Sequence, residues 1–393
     1  MNINLKNHSL GTARSVIREI FEYGNSRAKI VGRENVFDFS LGNPSVASPE
    51  CIQNSIVKFA SDPSIHGYTS AQGSLEVRTA IANSINSRFD AKVTPNDIYM
   101  TCGAAASLTI SLNALCVKDD EVIAFAPFFP EYKVFVESAN ATFVPVMADT
   151  STFMINFEAL EKAITPKTKA VIVNSPNNPS GAVLTEECII RLCDLLNKRS
   201  KLYSHPIYLL SDEPYRELVY DDSVKVPYLT KYYDNTLVCY SYSKSLSLPG
   251  ERIGYILVSN KAQNNNDIYA AVCGAGRALG FVCAPSLMQA VIAQNPNALA
   301  NVSEYKANRD LLFNTLTSYG YDCVRPDGAF YLFVKSPLAD AKEFCEMAKK
   351  YDLLLVPSDS FGVEGYIRIS YCVSRDMIKR SLILFKKLME EIK

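Results

Sequence analysis

The sequence predicts an α/β protein: a mostly parallel sheet covered by helices, with a smaller α+β region built from both ends of the chain. In the middle of the 393 residues, short apolar runs alternate with amphipathic stretches. Such alternation is typical of a parallel sheet with helices on both faces. The last third changes to a mixed pattern of helices and strands, which indicates a second domain. A chain of this length suits two domains.

The N-terminal region predicts two helices around a short strand. Apolar residues have helical spacing over residues 12–31. A strand over residues 36–41 then runs into a Gly-Asn-Pro segment at 42–44, which favours a chain reversal. Ser74 is suited to cap a helix in which apolar residues recur every four positions.

The middle region contains six apolar runs with the length of buried strands, and amphipathic stretches such as 185–199 lie in several of the gaps. Ligands of such sheets collect at the carboxyl ends of the strands, so we expect functional residues directly after these runs. The predicted strands cover residues 121–126, 142–146, 170–174, 207–211, 236–241 and 254–258.

The last third predicts the smaller domain. We expect the N-terminal helix to join it, because chain ends often pack together. The predicted large domain therefore covers residues 46–283, and the small domain covers 1–45 and 284–393. Its predicted elements are helices at 284–318, 338–350 and from about 374, and strands at 329–334, 353–356 and 366–371.

Composition and charge argue against nucleic-acid binding, membrane association and a metal site. The net charge is −1, so no field of one sign attracts nucleic acid or an anionic membrane. The sequence has no apolar run long enough for a membrane span and no signal-peptide pattern, which predicts a cytoplasmic protein. The eleven Cys and three His have no metal-ligand spacing, so no metal site is expected.

A lysine and two serines mark the end of the predicted strand 236–241. Ser241, Ser243 and Lys244 are followed by Arg252. A lysine amine can form an imine with an aldehyde, and this is how lysine acts as a covalent catalyst. Hydroxyls and a guanidinium group bind phosphate. The segment therefore indicates a covalent lysine beside a phosphate site, although a surface lysine in a loop would give the same local pattern.

Three further segments carry polar or small residues, and the first two of them lie at the ends of predicted strands. Asp212 could pair with a protonated pyridine nitrogen, or it could cap a helix. The segment 174–181 makes a rigid turn, and the amide of Asn178 could donate to a phenolate oxygen. Gly103 precedes a run of alanines that opens a predicted helix, where backbone N–H groups and the helix dipole can bind phosphate. Close helix packing would also explain that small-residue run.

Together and in this order, these segments resemble the class I aminotransferases of fold type I, the superfamily that includes aspartate aminotransferase. The resemblance runs nearly end to end, from residues 41–44 to 367–370. Its strongest matches are Asn-Asn-Pro-Ser-Gly at 177–181, Asp-Glu-Pro-Tyr at 212–215 and Ser-Tyr-Ser-Lys at 241–244. The resemblance implies a seven-stranded, mostly parallel sheet between helices, and pyridoxal 5'-phosphate as the cofactor.

The resemblance also implies a role for each matching residue. Lys244 would hold the cofactor as an imine and move a proton from the substrate α-carbon, while Asp212 would pair with the pyridine nitrogen. Asn178 and Tyr215 would hydrogen-bond the phenolate oxygen, and Phe129 would stack on the ring. The expected phosphate ligands are Gly103, Ala104, Ala105, Ser241, Ser243 and Arg252.

Substrate binding is implied in the same way. Arg368 matches the arginine that grips the α-carboxylate, and Asn174, Asn178 and the backbone of Gly42 would complete the clamp. Tyr68 matches a tyrosine that reaches the phosphate of the partner subunit, which implies a homodimer with shared active sites.

The implied reaction moves an amino group between an L-amino acid and a 2-oxo acid, and aspartate with 2-oxoglutarate is the first expectation. Arg277 lies near the segment that reads a distal carboxylate in some relatives, but it does not align with that position. Tyr23, Phe330 and Tyr331 could instead line a pocket for an apolar or aromatic substrate.

Two other functions share these motifs. A carbon–sulfur β-lyase or a decarboxylase on the same scaffold would use the same lysine and phosphate site. The effector domain of a transcription regulator is a more remote alternative. Against it, the Gly42 segment begins too early to leave room for a DNA-binding domain, and the near-zero charge does not suit DNA.

Overall fold

The computed structural model describes residues 2–13 and 15–392. These residues form two compact units. The large unit consists of Val46–Ser303 and Asp327–Ala329, and the small unit consists of the described residues up to Ser45, Glu304–Pro326 and those from Phe330 onward.

Helices and strands alternate through most of the chain. The strands are β1 (Phe37–Asp38), β2 (Ile98–Thr101), β3 (Glu121–Ala126), β4 (Thr142–Met147), β5 (Thr168–Asn174), β6 (Tyr208–Asp212), β7 (Thr236–Ser241), β8 (Gly254–Val258), β9 (Asp322–Cys323), β10 (Tyr331–Lys335), β11 (Leu353–Leu354), β12 (Val356–Pro357) and β13 (Tyr366–Ser370). The α-helices are α1 (Leu5–Thr12), α2 (Val16–Val31), α3 (Glu50–Ala60), α4 (Leu75–Phe89), α5 (Ala104–Leu115), α6 (Glu131–Ser138), α7 (Phe157–Ala163), α8 (Glu186–Tyr203), α9 (Tyr242–Ser245), α10 (Asn265–Ala278), α11 (Ser286–Gln294), α12 (Ser303–Tyr319), α13 (Ala341–Lys349) and α14 (Arg375–Ile392).

The sheet of the large unit has seven strands in the order β2-β8-β7-β6-β5-β3-β4. Only β8 runs antiparallel to its neighbours, β2 and β7. This confirms the predicted mostly parallel, seven-stranded sheet. The six runs identified in the sequence are β3 to β8, with ends shifted by no more than two residues. The seventh strand, β2, was not identified as a run, because four residues are too few to show a period.

Helices cover both faces of this sheet, because alternate residues of a strand point to opposite sides. On β7, Val238 and Tyr240 join a core cluster that includes α4 residues such as Ile81. Between them, Cys239 faces the other way, where its sulfur lies 3.6 Å from Ser111 Oγ of α5. The predicted cap of α4 is present, since Ser74 Oγ accepts a hydrogen bond from the backbone N–H of Val77.

The small unit contains a four-stranded antiparallel sheet in the order β12-β13-β10-β9 and a parallel pair, β1 with β11. The helix predicted at 284–318 is two helices, α11 and α12. Helix α11 packs on α3 and α4 through residues such as Met288 and Ile292. The large unit therefore extends to Ser303, past the predicted boundary at residue 283. The predicted helix 12–31 corresponds to α2, which starts only after the Ser15 cap.

Within residues 2–13 and 15–392, no helix is both long and apolar enough to cross a membrane. The same residues contain no group of three or more His, Cys, Asp or Glu arranged to hold a metal ion. All eleven cysteines are free thiols.

Candidate active site

Three neighbouring strands of the large unit end in polar residues. Strand β5 ends at Asn174, β6 at Asp212 and β7 at Ser241. The strands are parallel, and Asn174 lies opposite Asp212 in the register. The three residues therefore lie on one edge of the sheet, where parallel sheets collect ligands.

Asp212 is a buried carboxylate with one oxygen left for a ligand. Its exposed fraction is 4%. The hydroxyl of Tyr132 donates a hydrogen bond to Oδ2, whereas Oδ1 has no hydrogen-bond partner among residues 2–13 and 15–392. The pKa of Asp212 is raised from 3.8 to about 7, mainly by burial. The hydrogen bond from Tyr132 acts against this shift, and the negative charge of nearby Glu213 adds to it. A cation beside Oδ1 would offset the cost of burying the charge. The alternative that Asp212 caps a helix is wrong, because β6 leads into a turn.

The side chain of Asn174 connects Asp212 with Asn178. Its amide nitrogen donates to the backbone carbonyl of Asp212 at 2.9 Å, and its carbonyl oxygen accepts from the backbone N–H of Asn178 at 2.8 Å. Asn178 and Tyr215 are both buried. Asn174 therefore fixes the backbone at two positions that are expected to contact the cofactor, and its second amide hydrogen is the one that could reach a substrate.

The side chains expected to bind phosphate lie together. Ser241 Oγ accepts from the backbone N–H of Ser243 at 3.2 Å and lies 2.9 Å from Ser243 Oγ. The guanidinium of Arg252 lies 3.5 Å from the Ser243 hydroxyl. A Cβ atom added to Gly103 would lie 3.0 Å from Nη2 of Arg252 and 3.5 Å from Oγ of Ser241. The hydroxyls, the guanidinium and the backbone of Gly103 thus surround one small space.

Backbone geometry keeps this space open. Gly103 has a φ of +92° and is the N-cap residue of α5, so the N–H groups of Ala104 and Ala105 begin the helix at this point. A side chain on Gly254 of β8 would meet the Gly103 Cα at 2.9 Å. Both glycines are therefore required: the first for its positive φ, and the second for the close approach of the two backbones. The start of α5 supplies free N–H groups and the positive end of a helix dipole.

Lys244 is part of the single helical turn α9, directly after β7. The backbone N–H of Tyr242 donates to the carbonyl of Ile253 at 3.1 Å, which holds this turn against the segment before β8. Lys244 itself is half-buried rather than exposed. The interpretation of Lys244 as a surface lysine in a loop is therefore wrong.

The sequence analysis did not identify Tyr132, whose hydroxyl donates a hydrogen bond to Oδ2 of Asp212. This residue is in the first turn of α6, and its ring packs edge-on against Phe129 with centroids 5.7 Å apart and planes at 83°. Its position three residues after Phe129 was the only available signal. A buried tyrosine near a helix start is usually a core residue, so that signal was not specific.

Arg368 and Gly42 belong to the small unit. Arg368 is 2% exposed, and its Nη2 donates to the carbonyl of Ser40 at 2.5 Å. Its guanidinium also lies over the ring of Tyr331, 4.6 Å from the centroid. Arg368 is therefore a buried residue and does not face solvent, although it lies on a strand. Gly42 has no room for a side chain, since an added Cβ would lie 2.8 Å from Cζ of Tyr331.

Tyr68 and Arg277 lie on the surface of the large unit. Tyr68 is fully exposed, and Arg277 is exposed in the last turn of α10. A hydrogen bond connects the segments next to these two residues. Cys283, in the segment after α10, donates through Sγ to the carbonyl of Thr69, which follows Tyr68, at 3.3 Å. The single chain therefore presents both side chains to its surroundings.

Comparisons with known proteins agree over nearly the whole chain. The family model described as aminotransferase class I and II matches residues 34–382. The crystal structure of an amino transferase from Eubacterium rectale is 54% identical, covers 100% of both chains and has a TM-score of 0.97. Aspartate aminotransferase from Thermotoga maritima is 30% identical over 91% of this chain and 92% of its own. Aromatic-amino-acid aminotransferase 2 from Thermococcus litoralis is 29% identical over 96% of each chain.

Proposed function

Because the chain belongs to the class I and II aminotransferases, which use pyridoxal phosphate with amino-acid and 2-oxo-acid substrates, we propose that it transfers the amino group of aspartate to 2-oxoglutarate. That the protein is a pyridoxal-phosphate aminotransferase follows from the family. The substrate pair and the residue roles are the proposal. The unoccupied Oδ1 of buried Asp212 is the observation that carries the residue assignment.

The residues of the large unit fit pyridoxal phosphate. Oδ1 of Asp212 offers a buried acceptor to the pyridine N–H, and the space beside Gly103 offers two hydroxyls, a guanidinium and helix N–H groups to the phosphate. Such a donor set matches a dianionic phosphate. When bound, the cofactor supplies an electron sink for the α-carbon of the substrate.

The chain itself supplies the proton transfers and the orientation. We assign to the Lys244 amine the covalent attachment of the cofactor aldehyde and, once released, removal of the proton from the substrate α-carbon. Asp212 would hold the pyridine nitrogen of the cofactor and, as a carboxylate, would favour a proton on that nitrogen. Asn178 and Tyr215 would donate to the phenolate oxygen and so would favour its ionised form. Phe129 would stack on one face of the cofactor ring.

Arg368 is assigned to the α-carboxylate of the substrate. A buried guanidinium among aromatic rings is desolvated, which strengthens a bidentate pair with a carboxylate. The Gly42 N–H, Asn178 and the second amide hydrogen of Asn174 complete the proposed clamp. This clamp fixes the orientation of the amino acid, and with it the direction of the α C–H bond.

The substrate preference rests on the relatives. The name of the Thermotoga maritima relative, aspartate aminotransferase, supports aspartate as the substrate of this chain. Arg277 is the candidate residue for binding the side-chain carboxylate of that substrate. An aromatic preference has support from the Thermococcus litoralis relative and from the buried rings of Phe330 and Tyr331. The names of these relatives also favour transamination over the carbon–sulfur lyase reaction.

A homodimer with shared active sites is part of the proposal. A fully exposed tyrosine ring is unfavourable in a free monomer, and Tyr68 would be covered if it reached the phosphate site of a second copy. Arg277, on a connected segment, would approach the same partner. A cytoplasmic location is supported by the eleven free thiols, which suit a reducing compartment.

The proposal is tested with the purified holoenzyme and its Lys244→Ala variant. Each amino acid is offered in turn without an acceptor, and release of the corresponding 2-oxo acid is followed in both proteins. We expect the fastest release with aspartate or glutamate, and no conversion by Lys244→Ala. The Lys198→Ala variant, which changes an exposed lysine of α8, serves as the matched control. Full conversion by Lys244→Ala would refute the site, and a preference for phenylalanine or tyrosine would replace the substrate assignment.

A further inference from the structure

Tyr132 contacts two residues that are assigned to the cofactor: Asp212, to the ring nitrogen, and Phe129, to one face of the ring. Its hydroxyl donates to Oδ2 of Asp212, and the edge of its ring packs on Phe129. A backbone hydrogen bond of 3.0 Å from the N–H of Tyr132 to the carbonyl of Phe129 fixes their relative position. The ring and hydroxyl are buried, with 2% of the residue exposed.

The direction of this hydrogen bond is determined by the surroundings. Burial and the neighbouring Asp212 carboxylate hold the pKa of Tyr132 well above its ordinary value, so the phenol keeps its proton and acts as the donor. The Asp212 carboxylate is therefore the acceptor, and hydrogen bonding to a carboxylate stabilises its ionised form. Glu213 acts in the opposite direction, because its negative charge favours protonation of Asp212.

One proton can be shared between Asp212 and a pyridine nitrogen at Oδ1. The proton lies either on the nitrogen, which leaves an ion pair, or on the carboxyl group, which leaves two neutral groups. A donor at Oδ2 stabilises only the ion pair, since only the carboxylate accepts strongly at both oxygens. Loss of that donor would leave Oδ2 buried without a partner and would favour the neutral pair.

We propose that Tyr132 is a positioning residue which, through its hydrogen bond to Oδ2 of Asp212, directs Oδ1 toward the cofactor nitrogen and keeps the shared proton on that nitrogen. The proposal deepens the proposed function and rests on it. It adds a role for a residue outside the resemblance, and it explains why the Asp212 carboxylate is held at one oxygen and open at the other.

The test compares Tyr132→Phe with Tyr233→Phe. Both changes remove one hydroxyl from a buried tyrosine of the large unit, but the Tyr233 hydroxyl donates to the backbone carbonyl of Ile207 at 2.7 Å, away from Asp212. Each variant is reconstituted with 15N-labelled pyridoxal phosphate, and the protonation of the ring nitrogen is read by 15N NMR. The rate of cofactor release, kcat and KM are measured on the same samples, and unfolding of the apoprotein measures the structural cost.

We expect Tyr132→Phe to shift the ring nitrogen signal toward the unprotonated form, to release the cofactor about tenfold faster and to lower kcat about tenfold with little change in KM, as for loss of one hydrogen bond to a charged group. Tyr233→Phe should leave the nitrogen signal and kcat unchanged even if its apoprotein is less stable. Equal behaviour of the two variants would overturn the proposal.

A second variant tests the same role of Tyr132 without removing a side-chain group that could affect folding. Incorporation of 3-fluorotyrosine at position 132 keeps the ring and makes the hydroxyl a stronger donor, so the nitrogen should become more completely protonated. No change in the nitrogen signal, or a change toward the unprotonated form, would contradict the proposal. If Lys244→Ala abolishes conversion while the Tyr132 variants match the control, only the role of Tyr132 is wrong. If Lys244→Ala retains conversion, the proposed function itself is wrong.

Discussion

The raised pKa of Asp212 leads to a prediction about the stability of the apoprotein. In the folded chain, burial raises this pKa from 3.8 to about 7. Between these two values the folded state holds one more proton than the unfolded state. The free energy of unfolding must therefore decrease as the pH rises from about 4 to about 7. A difference of about three pH units corresponds to about 4 kcal/mol.

The Asp212→Asn variant isolates this contribution. The amide is close in shape to the protonated carboxyl group and does not ionise, so the two apoproteins should have similar stability near pH 4. At pH 8 the variant should be more stable than the native apoprotein by about 4 kcal/mol. In the holoenzyme the trend should disappear or reverse, because a cationic ring nitrogen beside Oδ1 favours the carboxylate.

The assay is urea unfolding of both apoproteins at half-unit steps from pH 4.5 to 8.5. Asp149→Asn is the control. This exposed aspartate accepts hydrogen bonds from the hydroxyl and N–H of Ser151, which lower its pKa, so its removal should not raise stability at high pH. A difference between Asp212→Asn and the native apoprotein that stays constant across the pH range would refute the assignment of a buried, unneutralised carboxylate.

Three further predictions concern substrate binding by Arg368, sharing of Tyr68 between subunits, and alignment of the cofactor-binding residues by Asn174. Arg368→Ala should raise KM for the amino acid on the order of a hundredfold, the effect of losing about 3 kcal/mol of charge-assisted hydrogen bonding; an unchanged KM in steady-state kinetics would remove it from the clamp. Tyr68→Ala and Lys244→Ala should each be inactive, yet mixed dimers of the two should recover part of the activity if each site takes Tyr68 from the partner; no recovery would rule out sharing. Asn174→Ala should lower kcat about tenfold because it aligns Asp212 and Asn178, and should also raise KM because it removes one donor of the proposed clamp; an unchanged kcat would refute the aligning role, and an unchanged KM would remove Asn174 from the clamp.

The sequence alone identified the six strands β3 to β8 of the large sheet and the polar residues that follow them. Buried parallel strands are continuous apolar runs, and their ends are visible where the runs stop. Asn174, Asp212 and Ser241 could therefore be placed at the same edge before any coordinates were known. The lysine at 244 was identified in the same way, whereas the glycine at 103 was identified only from the run of small residues that opens a helix.

Local patterns failed where the outcome depended on contacts between distant segments. Strand β2 has four residues, too few to show a period, and it exists because β8 pairs with it. The stretch 284–318 has a helical composition throughout, but it divides at residues 295–302, and α11 joins the large unit by packing on α3 and α4.

The sequence by itself determined which side chains follow which strands, and therefore the set of residues available for chemistry. Only the tertiary structure decided that Arg368 is buried rather than solvent-facing. It also decided that the Tyr132 hydroxyl occupies one oxygen of Asp212 while the other stays open. The physical reason is that strand period and chain order are local properties, whereas burial and hydrogen-bond partners depend on residues up to 80 positions apart or, for Arg368 and Ser40, 328 positions apart.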